Sequence, residues 1–166
     1  MKPADILAIQ GMGWLSASIM EATHSRVSHV ALGIASNPDL VIEALSRVRT
    51  RPLELSITDA AAAWLIEPLE LSDAQRAAIV RAACLYSAQS YNSPDVILQG
   101  MDAATRTRWW TDHFATERWP ICSMLVGRAY HAMGLDFGVS DRSLTPGDIL
   151  GFAQGHPDKY RIAQLK

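Results

Sequence analysis

One polar side chain inside an apolar strand constrains this chain more than any other feature of its sequence. Residues 25–35 read SRVSHVALGIA, and the larger apolar residues among them are Val27, Val30, Leu32 and Ile34. Residues of this kind favour a pleated, half-buried β-strand. His29 interrupts the strand, and two small residues, Ala31 and Gly33, follow it on its own face. Since a buried imidazole needs partners for both ring nitrogens, His29 is either a satisfied core residue or a reactive group.

A second strand follows after a turn at 36–39. It reads LVIEAL at 40–45, with Glu43 at its centre, where an unpaired charge costs free energy. If the connecting loop has an odd number of residues, 34–38 or 35–39, Glu43 lies opposite or diagonal to His29 on one face. A loop with an even number places Glu43 on the other face. Glu43 is therefore either a partner of His29 or an exposed residue.

The remaining pattern mixes strands with helices. It predicts strands at 5–10 and 48–55 and helices at 14–23, 72–91 and 121–133. Residues 58–68 are ambiguous, with a short helix followed by an extended piece, and both 145–154 and 159–165 are strand-like. This order predicts an α+β fold with a largely antiparallel sheet. A length of 166 residues suits one domain, 1–166.

Cys122 is the second candidate reactive group. It follows Pro120, a residue favoured in the first turn of a helix, so it lies at a helix N-terminus. Free N–H groups and the positive end of the helix dipole there favour the thiolate and lower a cysteine pKa from about 8.5 to roughly 3.5–7.5. The alternative is a small buried hydrophobe. Cys84, in the middle of the 72–91 helix, is expected to be a packing residue.

Charge and spacing exclude several classes of protein. The net charge of −2 and pI of 6.2 do not suit a nucleic-acid binder, and no apolar run reaches the ~20 residues of a membrane span. MKPADILAIQ does not resemble a secretory signal, so we expect a chain that is cytoplasmic as synthesised. The five histidines and two cysteines lack the spacing of a structural zinc site, and we expect no metal and no cofactor.

Three segments, in this order, resemble a known superfamily. SHVALGI (28–34), VIEAL (41–45) and CSMLVGRAYHAMGL (122–135) are similar to the circularly permuted papain-fold hydrolases of the NlpC-type superfamily, particularly its YiiX-like branch. The lecithin:retinol acyltransferase-like proteins share this permuted order. TPGDI (145–149) resembles the closing strand of the family. Ala4 and Asn92 depart from the family pattern, which has glycine and aspartate there.

The resemblance implies a circularly permuted papain-like fold, in which the antiparallel sheet packs against the nucleophile helix. It also implies a cysteine amidase or peptidase, with Cys122 as nucleophile, His29 as base and Glu43 as the third polar residue. The substrate would be a small amide or peptide, for example a cell-wall peptide, cleaved through a thioester. Two alternatives are a lipid acyl hydrolase or acyltransferase and a non-catalytic binding module on the same fold.

The segment just before Cys122 is the candidate wall of a substrate groove. It is rich in arginine and tryptophan, and the substrate-binding candidates are Arg108, Trp110, Arg118 and Trp119. Arginine forks suit carboxylates, and aromatic faces suit flat or apolar groups. The alternative is that these tryptophans pack a long loop.

Overall fold

A six-stranded antiparallel sheet organises the part of the chain that the computed structural model describes, residues 1–45, 47–87 and 121–166. The strands are β1 (Ile6–Gly11), β2 (His29–Ser36), β3 (Asp39–Ala44), β4 (Val48–Pro52), β5 (Ala60–Pro68) and β6 (Tyr160–Gln164). Their order across the sheet is β4-β3-β2-β1-β5-β6, and neighbouring strands pair antiparallel. The predicted α+β class with an antiparallel sheet is confirmed.

Five helices accompany the sheet in the described ranges. They are α1 (Trp14–Ala22), α2 (Leu53–Ile57), α3 (Asp73–Cys84), α4 (Cys122–His131) and α5 (Pro146–Gly155). Ser72 and Gln75 form the capping box that starts α3, because each satisfies a backbone N–H that the first turn leaves free. None of these helices has the length and apolar character needed to cross a membrane.

Two sequence predictions of secondary structure are wrong. The stretch 145–154 was expected to be a strand, but Pro146–Gly155 is helical, because Thr145 and Asp148 form a capping box and Pro146 occupies the first turn. The other error concerns 53–68: the short helix lies before Thr58, as α2, and the residues after it form β5. Alternation of apolar residues alone did not reveal where these helices begin.

The two faces of the sheet bury different clusters. On one face, β-strand residues such as Val30, Leu32 and Ile42 pack with Ile79 of α3 and Leu125 of α4 in the main core. Residues of opposite parity form a smaller cluster on the other face, beside α2; its sheet members are Leu7, Ile9, Ala31, Val41, Ala60 and Ala63. Helix α4 therefore packs on the main-core face, and α2 on the opposite face.

The N-terminal turn is held by buried polar contacts. Ala4 has a φ of 64°, in the left-handed region that glycine tolerates best. The Tyr130 hydroxyl donates to the carbonyl of Ala4 at 2.5 Å. Arg76, only 8% exposed, donates to the Pro3 carbonyl and to Asp5. Helices α3 and α4 are thereby tied to the start of the chain.

Candidate active site

A bulge in β2 brings His29 and Glu43 to the same face of the sheet. The β2–β3 pairs are Ser36↔Asp39 and Ala35↔Leu40, then Gly33↔Val41 and Leu32↔Ile42, so Ile34 is the extra residue. The loop itself holds two residues, 37–38, an even number that without a bulge would place Glu43 on the other face. The bulge restores the parity, because continuing the register places Glu43 opposite Ala31, two residues from His29.

Glu43 bridges a histidine and an arginine. Its Oε2 lies 3.0 Å from Nε2 of His29, and its Oε1 accepts a hydrogen bond of 3.1 Å from Nη1 of Arg51. Arg51 lies opposite Val41 on β4, two residues from Glu43 and therefore on the same face. Its Nη2 donates to the carbonyl of Leu55 in α2 at 2.5 Å. The carboxylate, 1% exposed, thus has a partner at each oxygen.

Cys122 is the first residue of α4 and reaches the start of β2. His29 and the backbone N–H groups of Val30 and Ser123 lie near enough to its sulfur to act on the ionisation of the thiol. The Val30 N–H lies just beyond the last β2–β3 pair, Leu32↔Ile42. Because Glu43 engages Nε2 of His29, Nδ1 is the ring nitrogen left for the thiol. Cys122 is 5% exposed.

The electrostatics favour an ion pair between Cys122 and His29. Burial opposes protonation of His29, but the charge and hydrogen bond of Cys122, together with Glu43, raise the pKa of His29 to about 10. Burial also opposes ionisation of Cys122, yet His29 and the two backbone N–H groups lower the pKa of the thiol. Thiolate and imidazolium stabilise each other in this site.

Glu43 stays ionised for a related reason. Burial raises the pKa of its carboxyl, but the hydrogen bonds and charges of His29 and Arg51 outweigh burial and lower that pKa. A carboxylate with two cationic neighbours can hold the imidazole in one orientation. The arrangement has the parts of an activated nucleophile: a thiolate, a base that can carry its proton, and a group that orients the base.

The structure brings together three of the seven residues that the sequence proposed for the site. Cys122 lies beside His29, and His29 lies beside Glu43. The other four, Arg108, Trp110, Arg118 and Trp119, lie outside the described residues, so the substrate-groove hypothesis stays a prediction.

The structure differs from the sequence analysis at two further residues, Arg51 and Cys84. Sequence reasoning missed Arg51, because Arg49 has the same parity on β4 and the pattern does not distinguish the two arginines. Cys84 was expected in the middle of a helix as a packing residue, but it is the last residue of α3 and is exposed. An exposed thiol is accessible to reagents, so experiments on Cys122 need Cys84 replaced.

Comparison with known proteins gives a likeness at the level of the fold. No family model matches the chain, and no curated protein matches it. The chain is similar to the crystal structure of metalloprotein yiiX from Escherichia coli O157:H7, with a TM-score of 0.71 and 16% sequence identity. The alignment covers 99% of this chain and 96% of that one. At this identity the likeness shows a shared fold, and it confirms the YiiX-like part of the resemblance at that level.

Proposed function

We propose that this chain is a cysteine hydrolase of the permuted papain-like type, which cleaves a small amide-linked substrate such as a cell-wall peptide. The observation that carries the proposal is the placement of His29 between the Cys122 thiol and the Glu43 carboxylate, with the cysteine at a helix N-terminus. The chain order supports the permuted type, because the histidine strand precedes the cysteine helix.

The first half of the reaction is acylation of Cys122. The thiolate attacks the carbonyl carbon of the scissile amide and forms a carbon–sulfur bond. As the tetrahedral intermediate collapses, the carbon–nitrogen bond breaks and the imidazolium of His29 gives its proton to the leaving amine. The products are a free amine, a thioester on Cys122 and a neutral imidazole that is still held by Glu43.

Hydrolysis of the thioester completes the cycle. Neutral His29 takes a proton from water, and the resulting hydroxide attacks the thioester carbonyl. Breakage of the carbon–sulfur bond releases a carboxylic acid and restores the thiolate–imidazolium pair. Glu43 performs no bond-making; it keeps Nδ1 of the ring directed at the sulfur and at the incoming water.

The start of α4 supplies a donor for the oxyanion. The first N–H groups of a helix have no intrahelical acceptor, and within the described residues the N–H of Cys122 donates to no backbone carbonyl. We assign this N–H, which belongs to the nucleophile itself, to the oxyanion as its donor.

A lipid ester or amide is the second candidate substrate. The observation that favours it is the apolar surface formed by the start of α1, where Met12, Trp14 and Leu15 are at least half exposed. This helix follows β1, whose residue Ile9 pairs with His29, so the apolar surface lies at the same end of the sheet as the site.

A metal-dependent reaction does not fit the described residues. The yiiX neighbour is titled a metalloprotein, but in residues 1–45, 47–87 and 121–166 no three His, Cys, Asp or Glu side chains are grouped so as to hold a metal ion. Both oxygens of Glu43 already have partners, one of them the cation Arg51. No step of the proposed reaction is therefore assigned to a metal.

A substrate comparison tests the proposal. The Cys84→Ser protein and its Cys122→Ala derivative are incubated with soluble peptidoglycan peptides and, separately, with phospholipid vesicles, and the products are identified by mass spectrometry. Cleavage of an amide bond that requires Cys122 supports the amidase, whereas release of fatty acid that requires Cys122 supports the lipid acyl hydrolase instead. If neither substrate is cleaved and Cys122 reacts as an ordinary thiol, the chain is a binding module.

A further inference from the structure

We infer that Arg51 is a positioning residue of this site, which holds Glu43 in the orientation that allows Glu43 to hold His29. The inference deepens the proposed function and rests on it, because it assigns Arg51 a part in preparing the Cys122–His29 pair. Arg51 acts through Glu43: within the described residues its side chain is bonded to Glu43 and to the Leu55 carbonyl, and to neither Cys122 nor His29.

Each carboxylate oxygen of Glu43 has its own hydrogen-bond partner. Oε2 is engaged by His29 and Oε1 by Arg51, so rotation of the carboxylate about its last bond would break one contact or both. Arg51 is itself anchored, because Nη2 donates to the carbonyl of Leu55 while Nη1 donates to Glu43. The planar guanidinium can make both bonds at once, which a lysine ammonium on a flexible stem does poorly.

Burial makes this contact consequential. Glu43 is 1% exposed and the Arg51 side chain 24% exposed, so the arginine lies between the buried carboxylate and solvent. A buried carboxylate without its cation would protonate or turn away. With Arg51 present, the thiolate and carboxylate are balanced by the imidazolium and the guanidinium, and the series carries no net charge.

The charged groups that act on His29 and Glu43 come from three strands, β2, β3 and β4, and from helix α4. Within the described residues, Cys122 and Glu43 act on His29, and His29 and Arg51 act on Glu43. Removal of Arg51 acts on Cys122 through His29. Protonation of Glu43, or its displacement from His29, weakens the imidazolium, and a weaker imidazolium makes the thiolate less stable and raises the apparent pKa of the thiol.

A purely structural role is the competing explanation, since Arg51 also ties β4 to α2. The chain contains a matched control on the same strand. Arg49 lies directly opposite Glu43 in the β3–β4 register, is exposed, and has no recorded side-chain hydrogen bond or ion pair in the described ranges. Replacing Arg49 removes the same formal charge near Glu43 without removing a contact to it.

The experiment measures the pH dependence of Cys122 alkylation by iodoacetamide in the Cys84→Ser protein. Arg51→Met should move the acid limb of this profile up by about one pH unit, so that the rate at any pH on that limb falls about tenfold. Arg49→Met should leave the profile unchanged. Arg51→Lys should restore only part of the shift. In a Glu43→Gln background, Arg51→Met should add little, because both changes act on one series of contacts.

Two results would overturn the inference. One is an acid limb for folded Arg51→Met that superimposes on that of Arg49→Met; the other is an equal effect of Arg51→Met with and without Glu43. Should Arg51→Met fail to fold, Arg51→Lys carries the test, and a profile identical to that of the Cys84→Ser protein would be the contrary result. Alkylation needs no substrate, so absent turnover contradicts the proposed function alone, and an unshifted limb contradicts the role of Arg51 alone.

Discussion

At the scale of single residues, the site is a series of four side chains in which each controls the ionisation of the next. His29 and Arg51 keep Glu43 a carboxylate, Cys122 and Glu43 favour the imidazolium of His29, and the imidazolium favours the thiolate of Cys122. A polar residue in an apolar strand, or a cysteine after a proline, is visible in a sequence, so three of these residues could be predicted. Arg51 could not, because Arg49 and Arg51 both suit an exposed strand, and only the three-dimensional contact separates them.

The pH dependence of thiol reactivity follows from the two shifted pKa values. Because the pKa of Cys122 is lowered, iodoacetamide should alkylate the Cys84→Ser protein rapidly well below the ordinary thiol pKa of about 8.5. The rate should fall only as the pH drops through the lowered value. Turnover should persist into alkaline solution and be lost as His29 deprotonates near its raised pKa of about 10.

The control for this measurement is a second histidine. His29→Ala should move the alkylation profile to higher pH, whereas His131→Ala should not, since His131 is exposed and pairs with Asp141 instead. A profile centred near the ordinary thiol pKa in the Cys84→Ser protein would contradict the ion pair.

The substitution Glu43→Gln tests whether Glu43 only orients the ring of His29 or also takes part in bond-making. The amide can still accept a hydrogen bond from His29, but it carries no charge and offers Arg51 a poorer partner. We expect turnover to fall by about a hundredfold, which is less than the loss in Cys122→Ala. Steady-state kinetics on the same amide substrate check this, and a Glu43→Gln protein as inactive as Cys122→Ala would show that Glu43 does more than orient the ring.

At the scale of elements, local signals decided which parts of the fold could be predicted. The capping box of α3 and the proline before α4 are sequence signals that mark the starts of these helices. The start of α5 has the same kind of signal in Thr145 and Asp148, but an apolar pattern that also suits a strand masked it. The bulge at Ile34 has no comparable signal, since it depends on how β2 meets both of its neighbours.

Two helical glycines should respond in opposite directions to alanine. A Cβ on Gly127 in α4 would lie 2.6 Å from Cδ2 of the buried Leu144, so Gly127→Ala should destabilise the protein by about 1–3 kcal/mol. Gly151 in α5 is exposed and has open space around it, so Gly151→Ala should stabilise by about 0.5–1 kcal/mol. Urea unfolding measures both. Equal effects of the two substitutions would mean that α4 packs less closely on the 144 segment than described.

At the scale of the whole molecule, α3 and α4 pack on one face of the sheet, and both helices are hydrogen-bonded to the N-terminal turn. The antiparallel α+β architecture was predictable because alternating strands and amphipathic helices follow one another along the chain. The contacts of Arg76 that join α3 to the N-terminal turn were not predictable, because Arg76 resembles any other arginine on an amphipathic helix. Its partners are the carbonyls of Pro3 and Pro68 and the carboxylate of Asp5, which are distant in sequence but lie at the same end of the sheet.

Loss of this tie should destabilise the fold without affecting the chemistry of the site. Arg76→Met leaves Asp5 buried without its cation and should lower the free energy of unfolding by about 3–5 kcal/mol. Arg81→Met, on the exposed side of the same helix, should change it by no more than about 0.5 kcal/mol. Urea denaturation gives both values. If Arg76→Met is no more harmful than Arg81→Met, the buried pair is not what joins α3 to the N-terminal turn.

The central claim is that Cys122 is a nucleophile activated by His29, and trapping of an acyl-enzyme tests it most directly. The Cys84→Ser protein is mixed with p-nitrophenyl acetate at about pH 6, a pH at which an ordinary thiol is almost fully protonated, and quenched samples are mapped by peptide mass spectrometry. The account predicts one acetyl group on Cys122, no acetylation in Cys122→Ala, and much slower acetylation in His29→Ala. Acetylation of Cys122 at the same rate with and without His29, or none at all in the Cys84→Ser protein, would contradict it.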